Sequence, residues 1–238
     1  MGGFEALILR TIDYRESSRL VYAYAERGHV TFIARGVRKL KSPLRPLIQR
    51  GVLIEADLSR GKLPTLKDAT LKARYAGAKR DFDRKSALDA VCEIVYYNVH
   101  EQDDHAKLFD FLKRYLRFLS GEVPPHEGLL LFELKFLWFH GAGLQLGGCH
   151  VCGSRESLRY DAHTGALVCP THAERGRPTY GEEIVKALRH LYYADIADYQ
   201  PLGLQNADAK RLFELSDALY RLHLGFSAKA KAVLKNLL

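Results

Sequence analysis

The sequence predicts an α+β multidomain chain: an N-terminal OB-fold β-barrel followed by a helical body with an inserted zinc-finger segment. Three observations predict it. Residues up to about 80 alternate with a period of two between glycine-marked turns, and the spacing of apolar residues turns helical beyond Lys79. Cys149, Cys152, Cys169 and His172 then form a C-x2-C-x16-C-x2-H pattern. The expected divisions are 1–80 for a nucleic-acid-binding barrel, 81–148 for a helical domain, 149–178 for a zinc-binding segment, and 179–238 for C-terminal helices packing on the helical domain.

Residues 4–12 are β-rich, and 19–26 and 29–35 alternate about a turn at Arg27-Gly28, where glycine supplies the positive φ that a hairpin needs. A basic linker over 38–43 leads to a run in which Val52, Ile54, Ala56 and Leu58 share one face. Gly61 marks a turn before a last β-prone segment, 66–75. Five short strands in this length suit a closed Greek-key barrel of the OB type, with an SH3-like barrel as nearest rival. Leu88, Val91, Val95 and Val99 then describe a helical stripe, with Cys92 and Tyr96 beside it. A second stripe runs from Leu108 to Leu119, opened by Asp103-Asp104 as cap and closed by Gly121. Val123-Pro124-Pro125 separates it from 127–140, which is apolar nearly all round and so expected to be a central buried helix. Thr179-x-x-Glu182 reads as a capping box ahead of Ile184, Leu188 and Leu191. Helical patterns over 207–224 and 227–238 are split at Gly225.

The four-ligand pattern is that of a structural zinc site, because four soft donors fill the tetrahedral shell and leave no position for a catalytic water. His150 and His163 are alternatives to His172 as fourth ligand, but only His172 completes a second x2 knuckle. Three cysteines and a histidine make an awkward disulfide framework, and Cys92 lies in an apolar helical pattern, which points to a reducing compartment.

The net charge of +8 is unevenly placed. Residues 1–80 hold 17 Lys and Arg against 7 Asp and Glu, a net of +10, whereas 81–148 hold 7 against 11, a net of −4. A basic block beside an acidic one favours a polyanion-binding module on a scaffold. Arg35, Arg38, Lys39, Lys41 and Arg45 fall on one inter-strand linker expected to follow a phosphate backbone, and Arg10, Arg15 and Arg19 are additional candidates if they face the same groove. Such contacts give affinity with little sequence specificity. Tyr22 and Tyr24 on one strand and Phe32 on the next are candidates to stack bases, or else simply core.

No Walker A loop, G-x-S-x-G or H-E-x-x-H is present. The carboxylate pairs Glu55/Asp57, Asp81/Asp83 and Asp103/Asp104 read more easily as strand faces and helix caps than as nuclease metal ligands, so no enzymatic activity is expected. No secretory signal opens the chain, Ala6 stands where a myristoylation motif at Met1-Gly2 wants Ser or Thr, and 129–139 is too short to span a bilayer. A soluble, cytoplasmic protein without membrane association is expected.

Residues 6–17 (ALILRTIDYRES), 25–28 (AERG) and 34–38 (ARGVR) look like the opening barrel of the RecO family, bacterial DNA repair and recombination mediators. Residues 132–136 (FELKF), 141–143 (GAG) and 149–153 (CHVCG) resemble that family's central helix and metal segment, and 221–225 (RLHLG) its closing helices. The departure is His172, where the family often has a fourth cysteine. The resemblance implies binding to single- and double-stranded DNA, annealing of complementary strands, and nucleoid association. It also implies work with RecR, and in many bacteria RecF, to load RecA onto DNA coated by single-strand-binding protein (SSB), whose tail would dock in an apolar groove of the helical body. The alternative is an RNA-binding or ribosome-associated OB/zinc protein.

Overall fold

In the computed structural model, which describes residues 3–236, the alternating first third becomes five strands. These are β1 (Phe4–Tyr14), β2 (Ser18–Ala25), β3 (Gly28–Ala34), β4 (Leu53–Leu58) and β5 (Leu66–Ala73). Residues 1–2 and 237–238, at the two ends of the expected divisions, lie outside the described residues. All neighbours pair antiparallel in the order β3-β2-β1-β4-β5, so β1 is the middle strand. The two edges of this sheet approach each other: the Ile33 N–H donates to the Pro64 carbonyl (2.8 Å), and Ile33 and Thr65 form a parallel bridge.

Register decides which face is inside. Val21 opposes Phe32, and Ala23 opposes Ile8 and Val30, so the alternate residues Ala6, Ile8, Val21, Ala23, Ala25, Phe32 and Ala34 form one buried face. Four of these are alanines, whose small side chains leave room for the larger Ile8, Val21 and Phe32 on the same face. Tyr22 and Tyr24 point to the opposite face, which two helices cover. These are α1 (Phe82–Asn98), packed on β1, and α2 (His105–Leu119), packed on β2. Tyr24 is fully buried, with its hydroxyl 2.9 Å from His105 Nδ1, and Tyr22 meets Tyr96 edge-on at 5.3 Å. Phe32 is buried on the other side, so these three aromatics are packing groups rather than a stacking platform.

Asp81 caps α1 by accepting from the Arg84 N–H (2.8 Å), and Asp104 caps α2 by accepting from that of Lys107 (3.2 Å). Between β5 and α1 a 3-10 turn, Ala76–Lys79, runs against the end of α2. A Cβ on Gly77 would fall 2.0 Å from the Ser120 carbonyl oxygen, so only glycine fits there. Contacts group the described residues up to Glu122 with Ala228–Lys231 as one compact unit, and Val123–Ser227 with the remaining C-terminal residues as another.

In the second unit α3 (Pro125–Phe139) starts at Pro125 itself. The expected Pro spacer is half helix, because proline at the first helical position gives up an N–H that has no partner there anyway. Three short strands follow, β6 (Arg159–Asp161), β7 (Ala166–Val168) and β8 (Thr179–Tyr180), in the order β7-β6-β8. The helices α4 (Glu182–Tyr193) and α5 (Asn206–Leu224) follow, and then α6 (Lys229–Lys235), whose first residues group with the first unit. The capping box does not form. Thr179 is paired with Asp161 across β6 and β8, and Gly181 becomes the N-cap of α4 with no side-chain bond. α3 is buried on nearly every side and packs on α4 and α5. Its two internal acids are satisfied: Glu133 accepts from Ser216 Oγ (2.7 Å), and Glu127 from Tyr199 and the Leu202 and Leu204 N–H groups.

Candidate metal centre and nucleic-acid interface

The two cysteine knuckles are set by backbone geometry. Gly153 adopts φ 75°, the Gly153 N–H returns to the Cys149 carbonyl (2.8 Å), and the Cys149 N–H to the Ser154 carbonyl (2.8 Å). Across the β6–β7 hairpin, the His172 and Ala173 N–H groups both return to the Cys169 carbonyl, giving a second tight turn. The hairpin is itself pinned, since Asp161 accepts from the His163 N–H (2.8 Å) and pairs with Arg177 (3.6 Å).

These turns bring the donor atoms of Cys149, Cys152, Cys169 and His172 within 4.8 Å of one another. All three cysteines are free thiols. A tetrahedron with Zn–S of about 2.3 Å and Zn–N of about 2.0 Å has S···S edges of about 3.8 Å and S···N edges of about 3.5 Å. The Cys152–Cys169 sulfur separation is 3.8 Å, and His172 Nδ1 lies 3.7 Å from the Cys149 sulfur and 3.3 Å from that of Cys169. The donor set is therefore compatible with zinc. Burial opposes the Cys149 thiolate, but the N–H groups of Cys152, Cys169 and Val151 outweigh it and bring the thiol down to about 5. Cys169 is lowered as well, whereas burial and the neighbouring Cys149 and Cys169 sulfurs raise Cys152. Among the described residues no other set of three or more Cys, His, Asp or Glu gathers in this way. Of the other carboxylates considered, Glu55 pairs with Lys72 (2.6 Å), Asp81 and Asp104 cap helices, and Asp103 accepts from the His100 N–H.

The basic residues of the first unit divide into several groups. Arg15, Arg35 and Lys39 line one open groove of about 510 Å³ together with Tyr14, Ser18 and Ile33, at the end of the sheet where β1 turns into β2. Arg19 and Arg38 both reach Asp13, at 3.5 and 3.1 Å. Arg38 also donates to the carbonyls of Arg15 and Glu16, where Arg15 holds a left-handed backbone of φ 51°. It thus clamps the turn that presents Arg15. Arg10 lies elsewhere, against α1, its guanidinium 5.4 Å from the Tyr96 ring. Lys41 and Arg45 sit on exposed turns of the β3–β4 connection.

That connection is less free than its charge suggests. Val37 and Ile48 are buried in the sheet core, and successive turns close from Lys39 to Gly36, Ser42 to Lys39 and Arg45 to Ser42. The sequence reading missed two participants, Tyr14 in the groove and Asp13 as the common counter-charge. The strand pairing carries the signal for Asp13: a tight turn between β1 and β2 places it opposite Arg19.

Comparison with known proteins agrees with this layout. The family model for the N-terminal part of recombination protein O matches residues 2–75, and that for its C-terminal part residues 79–232. A protein named DNA repair protein RecO from Exiguobacterium sp. is 26% identical over 238 residues, covering 98% of this chain and 94% of its own. One of the same name from Rhodopirellula baltica is 28% identical over 201 residues, covering 78% of this chain and 73% of its own. One from Bacillus mycoides is 23% identical over 238 residues, with 98% and 96% covered.

Proposed function

The chain belongs to the recombination protein O family, which places it in DNA repair and recombination, and from that premise we propose that it is a mediator that binds single- and double-stranded DNA and anneals complementary strands. With RecR, and in many bacteria RecF, it would help load RecA onto SSB-coated DNA. The observation that carries this reading is the groove of Arg15, Arg35 and Lys39 at one end of a five-stranded sheet. We take that sheet as an OB barrel, a reading supported by the order β3-β2-β1-β4-β5 and the Ile33–Thr65 bridge between its edges.

In this reading residues 1–80 hold nucleic acid. Residues 81–148 offer apolar helix positions to a peptide such as the SSB tail, 149–178 hold zinc, and 179–238 buttress the helical body. Zinc at Cys149, Cys152, Cys169 and His172 would be structural, fixing the hairpin between its knuckles, because four protein donors leave no open position. Annealing requires no covalent step. A cationic surface that holds two polyanionic strands lowers their mutual repulsion, and base pairing then supplies the specificity. No helix among the described residues is long and apolar enough to cross a membrane.

The test is annealing of complementary DNA strands, bare and SSB-coated, by the full chain. Acceleration of both is expected, with no cleavage of labelled DNA in Mg²⁺. Acceleration confined to RNA strands would move the assignment to the RNA-binding alternative.

A further inference from the structure

Two recesses of about 460 and 250 Å³ lie between β1 and α1 and share Arg50 as a common wall. Thr11, Lys79 and Lys85 border the larger, and Arg10, Tyr96 and Tyr97 the smaller. None of these residues borders the Tyr14–Lys39 groove.

The charge here is only partly answered. Arg50 is held in place, with Nε donating to the Leu9 carbonyl (3.1 Å) and Nη1 3.2 Å from Asp89. Asp89 also pairs with Lys85 at 2.7 Å, so one carboxylate serves two cations. Lys79 makes no close ion pair among the described residues. Burial, with the neighbouring charges of Arg74 and Lys85, outweighs the attraction of Asp89 and holds its ammonium below the usual lysine range. Glu93, the remaining acid at the rim, accepts from the Lys229 and Ala230 N–H groups.

Beside these cations stands an aromatic ring that is both exposed and fixed. Tyr97 is 52% exposed, its ring meets Tyr96 edge-on at 4.7 Å, and its hydroxyl accepts from Arg10 (3.1 Å). A solvent-facing aromatic beside a cationic trough is the arrangement by which proteins hold a single strand, phosphates on the cations and a base on the ring.

We propose that these recesses are a second strand-binding site, in which Arg50, Lys79 and Lys85 take the phosphates of a single-stranded nucleic acid and Tyr97 stacks one of its bases. This rests on the reading above that the chain binds strands, and it deepens that reading by giving annealing two sites on one unit. Thr11 at the larger recess and Tyr14 in the other groove are three residues apart on β1, about 10 Å along the strand.

The full chain is irradiated with oligothymidylate carrying 5-iodouracil, and the adducts are mapped by mass spectrometry. Salt dependence of binding is measured in parallel for the wild type, Tyr97→Ala, and the double variant Lys79→Ala/Lys85→Ala, each checked for an unchanged melting temperature. An adduct at Tyr97 is expected. Tyr97→Ala should weaken binding about five- to hundredfold, and the double variant should reduce the salt slope by about 1.4. Inorganic polyphosphate should compete equally well against wild type and Tyr97→Ala, since it has no base to stack. Strand binding by the wild type with no adduct at Tyr97 and no change in either variant overturns this site alone. A wild type that binds no strand overturns the proposed function with it.

Discussion

Replacing Asp13 with asparagine should make the protein bind single-stranded DNA more tightly. Asp13 is 3.5 Å from Arg19 and 3.1 Å from Arg38, and these three side chains are 58%, 30% and 36% exposed. Pairs so open to solvent contribute on the order of 1 kcal/mol together to folding. The two guanidinium groups use different carboxylate oxygens, and the amide keeps one of these acceptors, so one exposed contact is lost and the fold should survive. What changes is the charge available to DNA. Each phosphate neutralised on a single strand adds about 0.7 to the slope of log K against log salt, and at 0.1 M salt that is about fivefold in affinity. Two released cations therefore set a ceiling of about 25-fold and a slope increase of about 1.4. Arg38 remains bound to the Arg15 and Glu16 carbonyls, so a gain nearer fivefold is expected. Fluorescence anisotropy over a salt series reads both quantities. Asp68→Asn, an exposed position on β5, controls for the change in net charge. Weaker binding by Asp13→Asn, or a slope equal to that of the control, would refute the view that Asp13 masks part of the strand-binding surface.

Metal analysis should find about one zinc per chain, and Cys149→Ser should lose it with a drop in stability of the second unit, read by limited proteolysis, before any loss of DNA binding by the first. His172→Cys should retain the metal, whereas His172→Ala should not. Gly77→Ala should destabilise by about 1–3 kcal/mol in denaturant unfolding, because its Cβ meets the Ser120 backbone at 2.0 Å rather than a movable side chain. Burial, with repulsion from His105, holds His29 below the usual histidine value, so the unfolded chain takes up that proton first. Stability should be fully present above about pH 6.5 and decline as pH falls towards the folded value, and His29→Gln should flatten that part of the melting-temperature curve.

The four-donor cluster was legible because its information is local: two x2 knuckles and a hairpin-length spacer bring the donors together without help from distant chain. The strands were legible for the same reason, through alternation and glycine at Arg27-Gly28. The faces of the sheet were not. Whether Tyr22 and Tyr24 lie bare or covered depends on α1 and α2, which follow some tens of residues later, and alternation alone is symmetric between the two faces. The β3–β4 connection misled in another way, its cations drawing attention from Val37 and Ile48, which anchor it. The capping box at Thr179 failed because a strand pairing with Asp161 competed for the same backbone.

Charge summed along the chain and charge presented in space differ for a related reason. Residues 81–148 hold 11 acidic side chains, a count that marks them as a poor surface for DNA. Many of those acids are already engaged. Asp81 and Asp104 cap helices, Asp89 holds Arg50 and Lys85, Glu93 takes two N–H groups, and Glu127 and Glu133 are buried with donors of their own. The cations from the first third spread unevenly too. Of the eight that the sequence singled out, three line the Tyr14–Lys39 groove, two are drawn to Asp13, and Arg10 lies on the α1 side. The cationic strip through Arg50, Lys79 and Lys85 crosses the compositional border at residue 80, because α1 packs on β1. A protein cut at that border would keep the first groove and lose Lys85 and Tyr97 from the second. Sign changes along the sequence therefore locate where charge is encoded, while hydrogen bonding and packing decide which charges remain for a strand.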